Sequence, residues 1–325
     1  MKALIFGTGS IGKKFEQWLS EDGWFSEIRC VPSRSFLSDT EILGFSESER
    51  AHLATRTIAG LSLGTRHYDV AVIATPASYR LHACMVADRV SEFILIEKPI
   101  VSSAESLGFL KVSLDEKIDL NQVAIGYVLR AQPCVKALRE WLADSPLGRL
   151  LYCNISTGQY LPDWRPQADY RRTVSALKSL GGGVGRELSH ELDLAQYLFG
   201  EFELVDKYVA KLSDLEIETE DFVNYRLETR AGVFTMITVD FLQREASMEL
   251  KIVGSNGSLR GDLIREQFVA QTANAKEYDL ELPRTESWGI NYRRQILALM
   301  ERSPLCSFVE AERLVPVFDC SGELE

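Results

Sequence analysis

Histidine, basic charge, long apolar runs and paired cysteine motifs are all scarce in this sequence, and each shortage excludes a class of protein. No apolar stretch approaches the roughly 20 residues that cross a bilayer. Glycine interrupts the opening MKALIFGTGSIG before it can serve as a signal-peptide core. The chain therefore reads as cytoplasmic, with no membrane partner. Its 36 basic residues face 47 acidic ones, a net charge of −11. Neutralising nucleic-acid phosphates needs a basic face, so no nucleic-acid partner is expected. The four histidines, His52, His67, His82 and His190, show no ligand spacing, and no CxxC pair exists; no metal site is expected. Cys30, Cys84, Cys134, Cys153, Cys306 and Cys320 are scattered, the pattern of buried thiols in a reducing compartment.

What remains is an ordinary globular composition: 325 residues, 46% hydrophobic and 26% charged, with a mean hydropathy of −0.07. That length favours two domains over one core. Residues 2–6 (KALIF), 27–31, 69–74 (DVAVIA), 93–96 and 122–127 (QVAIGY) read as strands, with a weaker one at 56–59. Their apolar runs are continuous rather than alternating, as in parallel strands buried on both faces. Helical stretches between them, the first running to about Glu21, give an α/β, doubly wound parallel sheet.

After about residue 148 the pattern changes. Residues 150–160, 202–212, 221–229, 233–242 and 247–253 read as closely spaced strands, with hairpin turns at Ala231-Gly232 and at GSNG, 254–257. Val233, Thr235, Ile237, Val239 and Phe241 share one face, and Thr238 and Asp240 fall on a wetter one. The second half is therefore expected to be an α/β domain with an open, mainly antiparallel sheet. Residues 288–302 read as a late helix. The expected domains are 1–130, for dinucleotide binding, and 131–325, for substrate and oligomerisation, the closing helix packing back on the first.

Gly7, Gly9 and Gly12 form G-x-G-x-x-G between a strand and a helix. There the glycines allow a tight turn and close pyrophosphate approach, and the helix N-terminus stabilises the anion. Gly7, Thr8, Gly9, Ser10, Ile11 and Gly12 are thus the candidate cradle. NAD-selective sites carry an acid at the end of the second strand. Here that strand ends in Ser33, Arg34 and Ser35, which suits a 2′-phosphate. NADP(H) is favoured; if Arg34 only stacks on adenine, NAD(H) binds as well.

Three further motifs follow: ATPASYRLH at 74–82, EKP at 97–99 and GGGVGRELSHELD at 181–193. A Rossmann loop with these motifs in this order resembles the Gfo/Idh/MocA oxidoreductases along essentially the whole chain. The ELSHELD form is the one associated with surface-glycan pathway members. The resemblance implies an NAD(P)-dependent enzyme acting on a sugar, sugar-nucleotide or polyol CH–OH, and a homodimer or homotetramer formed through the second sheet.

It also implies roles. Lys98 lies between the nicotinamide and the reacting carbon, stabilising the oxygen, with Glu97 and Pro99 shaping its turn. His190 is the general acid/base. Thr75 and Pro76 touch the nicotinamide ribose, and His82 packs locally. Asp193 either orients His190 or bonds elsewhere. Glu187 departs from the commoner family pattern, which has Asp four residues before the histidine. Spaced at three, it is expected to share a face with His190, as its partner, as acceptor of a substrate hydroxyl or as a structural acid.

Between the strand at 150–160 and the triple glycine lies LPDWRPQADYRR, carrying Trp164, Arg165, Tyr170, Arg171 and Arg172, with Lys178 close behind. This cluster either binds an acidic or nucleotide-linked sugar or makes salt bridges or a subunit interface. Two other readings stay open: a dehydrogenase of a keto acid or imine, and a dinucleotide-binding regulator without turnover.

Overall fold

The computed structural model describes the chain except residues 22, 65–66, 116–119, 274 and 321–325. Two compact units are present. The first holds Met1–Ala131, Ser179–Gly181 and Ser287–Asp319; the second holds Gln132–Lys178, Gly182–Glu286 and Cys320.

In the first unit β1 (Lys2–Phe6), α1 (Ser10–Glu21) and β2 (Glu27–Val31) form a βαβ unit. Two helices follow, α2 (Asp39–Leu43) and α3 (Glu47–Gly60). Ser38 with Glu41 and Ser46 with Glu49 form reciprocal capping boxes at their starts. Residues 56–59, expected as a weak strand, are the end of α3. The Ser46 cap, ten positions upstream, commits the whole segment to helix before the β-branched Thr57 and Ile58 are reached. Then come β3 (Tyr68–Ile73), α4 (Arg80–Val90), β4 (Ser91–Ile96), α5 (Ala104–Asp115) and β5 (Val123–Ile125). The five strands are parallel, ordered β5-β4-β3-β1-β2.

The second unit opens with α6 (Pro133–Ala143) and β6 (Leu150–Gly158). The helices α7 (Val184–Glu187) and α8 (His190–Phe199) precede β7 (Phe202–Ala210), β8 (Phe222–Thr229), β9 (Phe234–Asp240), β10 (Ser247–Gly254), β11 (Gly257–Asp262), β12 (Gln267–Thr272) and β13 (Ala275–Asp279). Strand order is β13-β12-β11-β10-β6-β9-β8-β7. Among the described residues every pairing of this sheet is antiparallel except β6 with β9, so the sheet is mainly antiparallel, as expected. Tyr225, Leu227, Ile237 and Val239 bury one face. Asp240 was expected on the wetter side, yet it is buried. Its carboxylate accepts from the backbone N–H groups of Leu242 and Gln243 and from the Gln243 amide, which closes the turn after β9.

The closing segment returns to the first unit with α9 (Trp288–Met300), β14 (Cys306–Ser307), α10 (Phe308–Glu312) and α11 (Val315–Phe318). β14 pairs antiparallel with β5 and completes a six-stranded sheet. Ile296 and Leu299 of α9 join Ala3, Ile5, Phe15, Val70 and Leu95 in one core cluster. Tyr292 stacks on Trp18 of α1 with centroids 4.5 Å apart. Gly289 permits that approach, since a Cβ there would lie 2.5 Å from the Trp18 Nε1. All six cysteines are free thiols. Burial pushes Cys84 and Cys134 up to about 12, far from a reactive thiolate.

Candidate functional site

Register brings the first unit's motifs together. Val31 pairs with Phe6, Phe6 with Ile73, Ile73 with Ile96 and Ile96 with Ile125, so five carboxyl strand ends lie in one row. Ligands of open α/β sheets bind along that edge. The segments leaving it are Ser33–Ser35 after β2, the glycine loop after β1, Thr75–Pro76 after β3, Glu97–Lys98–Pro99 after β4 and Gly126 after β5.

The glycines of the loop do different work. Gly7 has φ +106°, and a Cβ there would lie 2.4 Å from the Ala74 carbonyl oxygen. A Cβ on Gly12 would lie 1.9 Å from the Gly7 carbonyl oxygen, so its absence seats α1 on the loop. Gly9 is exposed, with nothing within 4 Å of its Cβ position. Thr8 and Ile11 are half-buried and Ser10 is exposed. The first turn of α1 contains no acid, and the leading N–H groups of a helix have no intrahelical acceptor. That is an anion-binding geometry, and it fits a dinucleotide pyrophosphate. Ser33–Ser35 forms one 3-10 turn with Arg34 exposed.

Around Lys98 the structure holds a group that the sequence did not single out. Arg80, the first residue of α4, is 3% exposed. Its Nε donates to the Thr75 carbonyl at 3.2 Å and Nη2 to the Lys98 carbonyl at 3.3 Å. Its Nη1 donates to the carbonyls of Glu97 and Pro99. Lys98 is half-buried, and its peptide bond to Pro99 is cis. Glu97 is buried; a Cβ on Gly126 would lie 2.9 Å from its Oε1, so this glycine makes room for the carboxylate. Thr75 is buried with its hydroxyl toward the Tyr79 carbonyl, and Pro76 is half-buried.

His82 is buried in the first unit. Its Nδ1 accepts from the Leu37 N–H at 3.0 Å, so the proton sits on Nε2, 3.0 Å from the Thr57 hydroxyl. Burial holds it at about 4. Nearby, Asp39 accepts from the Leu81 N–H, and burial raises its carboxyl to about 6. The two groups titrate against each other. The His82 contribution to stability is complete above its ordinary 6.5 and is lost as pH falls through 4. The Asp39 contribution is complete below its ordinary 3.8 and is lost as pH rises through 6. Over the shared window each slope is about 1.4 kcal/mol per pH unit. Relative to wild type, Asp39→Asn should make stability rise with pH from 4 to 6, and His82→Gln should make it fall. Urea titrations across that window check this; variants parallel to wild type would contradict it.

The chain passes from the first unit to the second between Gly181 and Gly182. In the second, Gly182 and Gly183 donate to the carbonyls of Leu177 and Ser175. Gly183 has φ +116°, and a Cβ there would lie 2.3 Å from the Glu220 carboxylate. Glu220 Oε1 accepts from the Gly185 N–H at 3.1 Å, and the buried Arg186 donates to the Gly182 carbonyl at 3.1 Å. Burial raises the Glu220 carboxyl, while the charge of Arg186 pulls it back. Neither residue was singled out by the sequence.

Glu187 and His190 do not share a helical face as expected: α7 ends at Glu187, Leu188 leaves helical geometry at φ −104° and ψ 34°, and α8 begins at His190. Glu187 accepts from the Ser175 hydroxyl at 3.2 Å. His190 is half-buried and Asp193, one turn along α8, is buried. In the basic loop, Trp164 donates to the Gln159 carbonyl at 3.1 Å and packs edge-on against Phe241. Arg171 pairs with Asp169 and Glu216, and the Tyr170 hydroxyl accepts from the Glu216 N–H. Arg165 and Arg172 are exposed.

Among the described residues no group of His, Cys, Asp or Glu could hold a metal ion, and no helix is long and apolar enough to cross a membrane.

A dinucleotide-type parallel sheet joined to an open antiparallel sheet defines a two-unit α/β protein. Residues 135–260 match the family model of the GFO/IDH/MocA C-terminal domain. A levoglucosan dehydrogenase of Pseudarthrobacter phenanthrenivorans is 28% identical over 136 residues, 41% of this chain but only 34% of that protein. An oxidoreductase of Formosa agariphila is 23% identical over 252 residues, 76% of each. Among solved structures, levoglucosan dehydrogenase with NADH and L-sorbose has a TM-score of 0.76 at 16% identity, covering 98% of this chain and 95% of that one. The UDP-N-acetylglucosamine 3-dehydrogenase of Acidithiobacillus ferrooxidans has a TM-score of 0.68 at 17% identity, with 98% and 95% covered. At such identities the likeness is one of fold.

Proposed function

We propose that this protein is an NAD(P)-dependent oxidoreductase acting on a CH–OH carbon of a sugar, sugar nucleotide or polyol. The observation that carries the reading is the row of strand ends that aligns the glycine loop with the turns bearing Arg34, Thr75 and Lys98. The relatives named above, dehydrogenases of levoglucosan and of UDP-N-acetylglucosamine, support the substrate class.

Nicotinamide, when bound, would supply the hydride-transfer chemistry. The Gly9 side of the loop and the α1 N-terminus hold the pyrophosphate. The segment after β2 would hold the adenosine half and those after β3 and β4 the nicotinamide half. Lys98 stabilises the charge that develops on the reacting oxygen, and His190 takes or returns its proton. Asp193 and Glu187 support His190. Arg165, an exposed cation of the basic loop, serves an acidic or phosphorylated substrate group together with Trp164, Tyr170 and Arg171. The partly exposed apolar side chains Leu204, Val205 and Tyr208 on β7 suit pairing with a second copy.

Fluorescence titration with NADPH and NADH, followed by a screen of sugars and sugar nucleotides, tests the reading; absence of binding by both dinucleotides overturns it. Arg34 carries the preference for NADP(H). Arg34→Ala should weaken NADPH by about tenfold, the loss of one charge-assisted phosphate contact, and leave NADH nearly unchanged. A greater loss for NADH would remove Arg34 as the phosphate reader.

A further inference from the structure

Among the described residues, Arg80 bonds main-chain carbonyls only, at Thr75, Glu97, Lys98 and Pro99. These carbonyls lie just past the Ile73–Ile96 pair, the last rung of the β3–β4 ladder. The guanidinium therefore begins where sheet pairing stops, and it bridges the two turns that the ladder no longer connects. Its planar fork of five donors reaches several acceptors at once, which a lysine ammonium on a flexible stem does not. Burying this charge is unfavourable in itself, and the nearby carboxylates of Glu97 and Asp39 offset it. An apolar side chain would fill the same space with less desolvation. What the arginine adds is a fixed backbone path for residues 97–99.

We propose that Arg80 is a positioning residue for the nicotinamide half of the cofactor site, setting the separation of the Thr75–Pro76 and Glu97–Lys98–Pro99 turns. This rests on the oxidoreductase reading above. It predicts that Arg80 acts on one half of the dinucleotide and not on the other. The glycine loop and Arg34 keep their own backbone bonds, with Gly7 donating to Val31 and Ser35 to Pro32, and none of these passes through Arg80.

The test compares Arg80→Lys with wild type in titrations of NADPH against 2′-phospho-ADP and of NADH against ADP. In wild type the nicotinamide-bearing ligand of each pair should bind about tenfold more tightly than its fragment. In Arg80→Lys the fragments should bind within about twofold of wild type, and the advantage of the intact dinucleotide should vanish. A purely structural arginine would instead weaken dinucleotide and fragment together. That result overturns the proposal, as does a variant that keeps the advantage or a wild type that lacks it. Wild type that binds neither dinucleotide is a different failure, of the oxidoreductase reading itself. Should Arg80→Lys not fold, hydrogen exchange on wild type decides. The Arg80 Nε–H, which donates to the Thr75 carbonyl, should exchange roughly a hundredfold or more below the unstructured rate; exchange at that rate overturns the clamp.

Discussion

Gly12→Ala should lower the stability of the apo protein by about 3 kcal/mol or more, whereas Gly9→Ala should leave it unchanged and weaken only dinucleotide binding. Both positions belong to one motif, but the new methyl groups meet different surroundings. At Gly12 the methyl would sit 1.9 Å from the Gly7 carbonyl oxygen. That oxygen cannot easily retreat: the Gly7 N–H donates to Val31 at 2.7 Å, and Gly7 itself is pressed against the Ala74 carbonyl. The start of α1 must lift, opening the core beneath Phe15. At Gly9 the methyl enters open space, on the side that the pyrophosphate must approach. Thermal unfolding of the apo forms and NADPH titration separate the two. Gly12→Ala should melt several degrees lower, and Gly9→Ala should melt with wild type yet bind NADPH about tenfold more weakly. Equal melting losses would mean that Gly9 serves the fold, and the ligand-side assignment would be wrong.

The same contrast shows why the sequence was readable in some places and not in others. Strands buried on both faces are forced to be continuous apolar runs, so KALIF and DVAVIA declared themselves. The glycine loop did too, because the φ of Gly7 and the close approaches at Gly7 and Gly12 admit no side chain there. Thr57 and Ile58 misled because the deciding signal, the Ser46–Glu49 cap, lies outside the window in which β-branching is judged. The parallel pairing of β6 with β9 depends on partners some 80 positions apart in the chain, and no local pattern encodes it. Nor does a two-residue strand such as β14 carry any periodicity. Arg80, Asp39, Arg186 and Glu220 were missed for a common reason. In sequence each is one more charged residue on a polar helix or turn; only the fold shows that it is buried and bonded to backbone. Of the candidate site, the motif residues at the strand ends were legible and the buried charges that bond their turns were not. Glu187 shows the limit from the other side, since counting three positions to His190 assumed one helix where the chain makes two.

Lys98→Met should reduce turnover by roughly 10²–10⁴-fold while dinucleotide affinity and melting temperature stay close to wild type. Methionine keeps an unbranched stem of similar reach, so packing at this half-buried position is little disturbed. The bonds that Arg80 makes in this segment go to main-chain carbonyls, so the turn retains its path. What disappears is the ammonium. Its effect belongs to the transition state, where charge builds on the substrate oxygen, more than to the ground state; the loss should therefore fall on kcat rather than on KM. Lys98→Arg should recover only part of the rate, since it keeps the charge but spreads it over a larger plane. His190→Gln makes a complementary case: it removes the acid/base group, so most of the rate should be lost. If Lys98→Met turns over within about tenfold of wild type, the charge is not stabilising the reacting oxygen. A near wild-type rate in His190→Gln would move the proton transfer to another residue, with Glu187, held by the Ser175 hydroxyl, the next to be replaced.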